Sequence, residues 1–225
     1  MEKVIIVTGG STGLGKCLSK QLHTKFGYKV ILVGRSLKKL IAAEKELTEE
    51  GFLCSIYSLD VTDEEKVSAF SKEINEKYSI YGLVNNAGVG IFGPFEQTTK
   101  EQLEEMFQTN VVGTYLPTKY LLPFMTEGFV MNIISTAGLV GKTNETLYCA
   151  SKFAQRGLVE SLQSEYAESN VHIQAVYMGG MDTPFWDGST HIKDKTNLAS
   201  PCKVAAYIVS NFDSKAIVVP GKDEL

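Results

Sequence analysis

Short β-rich apolar runs alternate with helical stretches from one end of this chain to the other, and that alternation constrains the fold most. The runs occupy 3–8 (KVIIVT), 29–34 (KVILVG), 52–60 (FLCSIYSLD), 81–88 (YGLVNNAG), 129–135 (FVMNIIS), 171–177 (VHIQAVY) and 215–220 (KAIVVP). Continuous apolar runs of this length read as parallel strands buried on both faces. The intervening stretches carry helix signals. Leu14, Leu18 and Leu22 recur at i+4 spacing, and Ser36 caps a helix that sets Leu37, Leu40, Ile41 and Leu47 on one face. Thr62 and Glu65 form a capping box for a helix to about Tyr78, and Thr99 with Gln102 opens a long helix toward Pro123. A further helix covers about 146–168, and Ser200–Pro201 starts one ending near Asn211. No linker, composition break or internal repeat interrupts the series. The expectation is one doubly wound α/β domain over 1–225, with about seven parallel strands and helices on both faces.

Composition narrows the function classes. The chain is 44% hydrophobic and 21% charged, with net charge −4 and scattered Lys and Arg, which points away from nucleic acid and anionic membranes. Cys17, Cys54, Cys149 and Cys202 lie far apart without a Cys-x-x-Cys pair, and read as free thiols in a reducing compartment. His23, His172 and His191 show no metal-ligand spacing and read as helix or edge-strand residues, so no metal is expected. No apolar run reaches the roughly 18 residues of a membrane span, and the start lacks a signal-peptide apolar stretch. The terminal KDEL, 222–225, therefore reads as coincidence rather than a retention address, and a cytoplasmic location is expected.

The stretch TGGSTGLG, 8–15, joins the first strand to its helix. Glycines there permit a tight turn and close approach of the backbone to a pyrophosphate, which the N–H groups and dipole of the helix start attract. In that strand–turn–helix setting the stretch predicts a Rossmann-type dinucleotide site using Gly9, Ser11, Thr12, Gly13, Leu14 and Gly15. The second strand ends in Gly34-Arg35-Ser36, without the carboxylate that would bind a ribose 2′-hydroxyl. A guanidinium matches a 2′-phosphate instead, so Arg35, with Ser36, predicts NADP(H) in preference to NAD(H). Farther on, YCASK, 148–152, sets a tyrosine four residues ahead of a lysine. On a helix the two share a face about 5–6 Å apart. A fixed ammonium would then lower the phenol from its usual pKa of about 10 and make it usable in proton transfer.

Taken together, these motifs resemble the short-chain dehydrogenase/reductase superfamily over essentially the whole chain. The family's Thr-Gly-x-x-x-Gly-x-Gly matches Thr8, Gly9, Gly13 and Gly15. NNAG, 85–88, follows the fourth strand, and Asp60 with Val61 ends the third. Asn110, Ser135, Tyr148 and Lys152 stand in family order. The resemblance implies that Tyr148 is the general acid/base, that Ser135 bonds the substrate oxygen, and that Lys152 holds the nicotinamide ribose and tunes Tyr148. It implies that the Asn110 main-chain carbonyl fixes a water linked to Lys152. Asp60 and Val61 would face the adenine, Asn86, Ala87 and Gly88 would line the groove, and Gly179 and Thr183 would reach the nicotinamide. The chain departs from the family at Met178, which replaces a proline after the sixth strand.

The resemblance also places a substrate lid at about 184–200. Phe92, Phe95, Met178, Phe185 and Trp186 are candidates for an apolar pocket, or pack as loop aromatics on the sheet edge. With no cation placed to dock a carboxylate, the implied substrate is an uncharged carbonyl or secondary alcohol. The implied assembly is a homodimer, possibly a homotetramer. Two other functions use a similar fold: a non-catalytic NADP(H)-binding redox sensor, and an epimerase or dehydratase.

Overall fold

The computed structural model of the chain describes residues 1–189, 191, 192 and 194–225. Its strands are β1 (Lys3–Thr8), β2 (Lys29–Gly34), β3 (Cys54–Ser58), β4 (Ser79–Asn85), β5 (Gly128–Ile133), β6 (Val171–Tyr177) and β7 (Ala216–Val218). They form one sheet in the order β3-β2-β1-β4-β5-β6-β7, and every pairing is parallel. The helices are α1 (Gly13–Phe26), α2 (Leu37–Glu49), α3 (Glu64–Lys77), α4 (Lys100–Met106), α5 (Gly113–Leu121), α6 (Thr146–Glu165) and α7 (Pro201–Ser210).

The pleat divides each strand between two cores. On β1, Ile5 and Val7 face Leu14, Leu18 and Leu22 of α1, Leu40 and Leu47 of α2, and Val204 and Ile208 of α7. Val4 and Ile6 face the opposite core with Val67, Phe70 and Ile74 of α3, Leu116 and Leu121 of α5, and Val159 of α6. Both faces are thus covered, which is why the strand sequences show no polar alternation. The chain winds outward from β1 through β2 to β3, then returns to β4 on the other side. The crevice at the carboxyl ends of β1 and β4 is the topological switch point where such sheets bind ligands.

Three local expectations shift. The helix predicted from Thr99 toward Pro123 is broken into α4, a π-helical turn over Phe107–Val112, α5, and a 3-10 turn at Leu122–Phe124. Pro117 has no N–H for the helix ladder, and Thr114 and Thr118 donate their hydroxyls back to the carbonyls of Asn110 and Thr114. The capping box at Thr99 and Gln102 is present. At α3 the cap is Asp63, which accepts from the Lys66 N–H, because the Thr62 hydroxyl donates instead to Asp60.

The third shift concerns cysteine. Cys17 of α1 and Cys202 of α7 form a disulfide, leaving Cys54 and Cys149 as thiols. This corrects the expectation of four free thiols. The two positions are 185 residues apart, and only the packing of α1 against α7 brings them together. The reducing compartment inferred from free thiols loses that support. Among the described residues, no helix is long and apolar enough to cross a membrane.

Candidate active site

At the switch point lies a cleft of about 660 Å³ that runs from Arg35 and Lys39 past the α1 start to Tyr148 and Trp186. The turn after β1 builds its first wall from backbone. Gly9 has φ 62°, a left-handed conformation that favours glycine. At Gly15, a Cβ would stand 2.3 Å from the Gly9 carbonyl oxygen, so only glycine lets the helix start this close to the turn. Thr12 caps α1 without a side-chain hydrogen bond, which leaves the first N–H groups of the helix to face the cleft. The loop after β4 is welded to this turn. Asn86 Nδ2 donates to the carbonyls of Thr8 at 2.9 Å and Gly9 at 3.2 Å, and the Thr8 hydroxyl accepts the N–H groups of Asn86 and Ala87.

Uncapped helix N–H groups beside a backbone floor that tolerates no side chain fit a dinucleotide pyrophosphate. Gly9, Thr12, Gly13, Leu14, Arg35, Asn86, Ala87, Gly88, Gly179 and Thr183 all line this cleft. Other expected cofactor residues are placed differently. Ser11 lies beside Gly34, with its Oγ 3.9 Å from where a Cβ on that glycine would be. Ser36 caps α2 by accepting the Lys39 N–H. Asp60 Oδ1 accepts both the N–H and hydroxyl of Thr62. Val61 is buried with its side chain in the core beside Gly113, so it offers a ligand only backbone. Lys39 was not foreseen. It stands four residues after Arg35 and makes that end of the cleft doubly cationic.

The opposite end is made of buried side chains. β5 runs out into Ser135, which has φ 144° and ψ 155°. That region is nearly closed to residues with a Cβ and costs about 1–3 kcal/mol. The strained residue lines the cleft with Tyr148, and its Oγ accepts the Ala137 N–H at 3.1 Å. α6 supplies Tyr148 and Lys152, both buried, with Lys152 Nζ 5.6 Å from the centre of the Tyr148 ring. Burial pushes the Tyr148 phenol well above its ordinary pKa, partly offset by the Ser135 hydroxyl. Burial also pulls Lys152 down to about 7. The sequence reading had the ammonium lowering the phenol. In this arrangement desolvation is the larger influence on both groups. The phenol therefore holds its proton at neutral pH, as a proton donor must.

Asn110 sits in the π-helical turn, fully buried. Its side chain donates to the Val89 carbonyl and Ser151 Oγ and accepts the Val89 N–H, which pins the loop after β4. Its main-chain carbonyl, expected to fix a water, accepts the Thr114 hydroxyl at 2.8 Å.

Of the pocket candidates, Met178, Phe185 and Trp186 line the cleft. Trp186 is held by a 3.0 Å bond from Nε1 to the Met181 carbonyl. Phe92 packs behind this wall, 5.2 Å from both the Tyr148 and Trp186 rings. Phe95 is 65% exposed in a 3-10 turn, Phe95–Gln97, and does not belong to the pocket. An isolated loop phenylalanine gives no sign of which way its side chain turns. His191 is neither a helix nor an edge-strand residue. It lies in the segment expected to form a lid, stacked on Phe92 at 4.6 Å, with Nε2 3.1 Å from Glu145.

Residues 3–193 match the family described as short chain dehydrogenase. The chain is 36% identical to the 3-dehydrosphinganine reductase of Danio rerio over 226 residues, covering 92% of this chain and 67% of that protein. It is 31% identical to the sepiapterin reductase of Chlorobaculum tepidum over 222 residues, 94% of this chain and 91% of that one. An alcohol dehydrogenase from the archaeon Thermococcus sibiricus, solved with 5-hydroxy-NADP, superposes with a TM-score of 0.86. The two are 27% identical, and the match covers 97% of this chain and 95% of that one. The family match, the identities and the superposition agree: the chain belongs to the short-chain dehydrogenase family and is an NAD(P)-dependent oxidoreductase interconverting carbonyl and alcohol.

Proposed function

We propose that this enzyme reduces an uncharged carbonyl compound with an apolar body, prefers NADPH, and uses Tyr148 as its proton donor. The observation that carries this reading is the buried pair of hydroxyls, Ser135 and Tyr148, on the floor of the cleft beside Lys152. Bound along the glycine turn, NADPH supplies the hydride. As the substrate oxygen gains charge, Ser135 donates a hydrogen bond to it and Tyr148 gives up its proton. The ammonium of Lys152 then faces a phenolate, whose charge it stabilises in a site shielded from water.

Arg35 and Lys39 together support NADP(H) over NAD(H), since two cations at the adenosine end suit a 2′-phosphate. Met178, Met181, Phe185, Trp186 and Leu198 give the other end an apolar wall, which supports a substrate with an apolar body. Exposed Leu103, Tyr115 and Phe153 on α4, α5 and α6 support pairing with a second copy of the chain.

The test follows NADPH absorbance with a panel of aldehydes, ketones and diketones, for wild type and Tyr148→Phe. Turnover in the variant is expected to fall by about 10³-fold or more, with NADPH binding by fluorescence titration unchanged within about threefold. Near-normal turnover in the variant would remove Tyr148 from the reaction.

A further inference from the structure

Lys152 reaches the cleft on a scaffold that its sequence motif does not contain. Its ammonium donates to Gln155 Oε1 at 2.7 Å and, more weakly, to the Ile133 carbonyl at 3.4 Å. Gln155, 1% exposed, donates from Nε2 to Thr114 Oγ1 at 2.7 Å. The Thr114 hydroxyl donates to the Asn110 carbonyl. An ammonium has donors only, so it fixes the orientation of the amide: Oε1 faces Lys152 and Nε2 faces Thr114. The threonine, having accepted from the amide, gives its single proton to Asn110. The direction of all three bonds follows from the lysine.

We propose that Gln155, locked by Thr114, is a positioning residue that holds the Lys152 ammonium against Tyr148 and keeps it charged during the reaction. This rests on the reading above, in which Lys152 and Tyr148 work as a pair. Burial disfavours the charged amine, and a short bond to an amide oxygen favours it. With a hydrocarbon in place of Gln155, the ammonium would keep, among the described residues, only its weak bond to Ile133. The chain of bonds acts as a clamp rather than a proton relay, because an amide passes a proton only by losing its conjugation. It also ties α6 to α5 and to the π-helical turn, where Asn110 bonds Ser151 at 3.0 Å. Tyr148, Lys152 and Gln155 fall at i, i+4 and i+7, so one stripe of α6 carries all three.

The pH dependence of kcat separates positioning from mere packing. Activity that requires a charged Lys152 falls as pH rises through the pKa of that lysine. With NADPH and the best carbonyl substrate of the panel, Gln155→Leu is expected to move this limb down by about one pH unit and Gln155→Glu to move it up. At pH 7, kcat of the leucine variant should fall about fivefold, with a smaller change in KM for NADPH. A limb shared by wild type and both folded variants overturns the proposal, even if the melting temperatures differ. Should Gln155→Leu fail to fold, Thr114→Val decides, since it removes only the hydroxyl that locks the amide. A downward shift of the limb in that variant supports the proposal, and an unmoved limb overturns it. Full turnover by Tyr148→Phe would instead defeat the underlying pair, whatever the Gln155 variants do.

Discussion

The two ends of the cleft are built from different materials. At the α1 end, recognition is by backbone: glycines that accept no Cβ, free helix N–H groups, and the Asn86 amide stitching one loop to another. At the α6 end it is by buried side chains, those of α6 tied to partners distant in sequence and Trp186 to the nearby Met181 carbonyl. Backbone recognition tolerates no enlargement, whereas side-chain recognition can be retuned residue by residue.

The contrast can be broken most directly at Gly15. Gly15→Ala places a methyl against the Gly9 carbonyl, so NADPH affinity by fluorescence titration should fall by about 100-fold. Wild-type affinity in that variant would mean that the turn adapts and that the backbone floor is not rigid. Arg35→Ala should be selective. KM for NADPH is expected to rise about 10- to 100-fold and KM for NADH less than about threefold, as fits the loss of charge-assisted bonds to a phosphate. Equal loss with both cofactors would take Arg35 out of 2′-phosphate recognition. The smallest effect belongs to Trp186 in the cleft wall. Trp186→Phe removes the bond to the Met181 carbonyl and some apolar wall, so KM for the carbonyl substrate should rise about threefold while NADPH binding is unchanged. A change in cofactor affinity there would show that the two ends are coupled.

Legibility in the sequence follows the same division. The glycine turn, the strands and the Tyr148–Lys152 pair were readable because each depends on short-range rules: which residues accept φ above zero, which runs stay apolar, which positions share a helix face. Gln155 obeyed the i+7 rule but was passed over, because a buried glutamine looks like any helix polar residue until its partner on α5 is known. Phe95 and His191 were misplaced for a related reason: loop side chains take their direction from tertiary contacts.

By itself, then, the sequence determined the doubly wound sheet, the dinucleotide turn, and the ordered set Asn110, Ser135, Tyr148 and Lys152. Tertiary structure alone decided that Cys17 meets Cys202, that Lys39 joins Arg35, that a π-helical turn carries Asn110, and that Gln155 grips Lys152. It also decided that burial raises the pKa of the phenol, because desolvation depends on everything that surrounds a group and no local spacing encodes it.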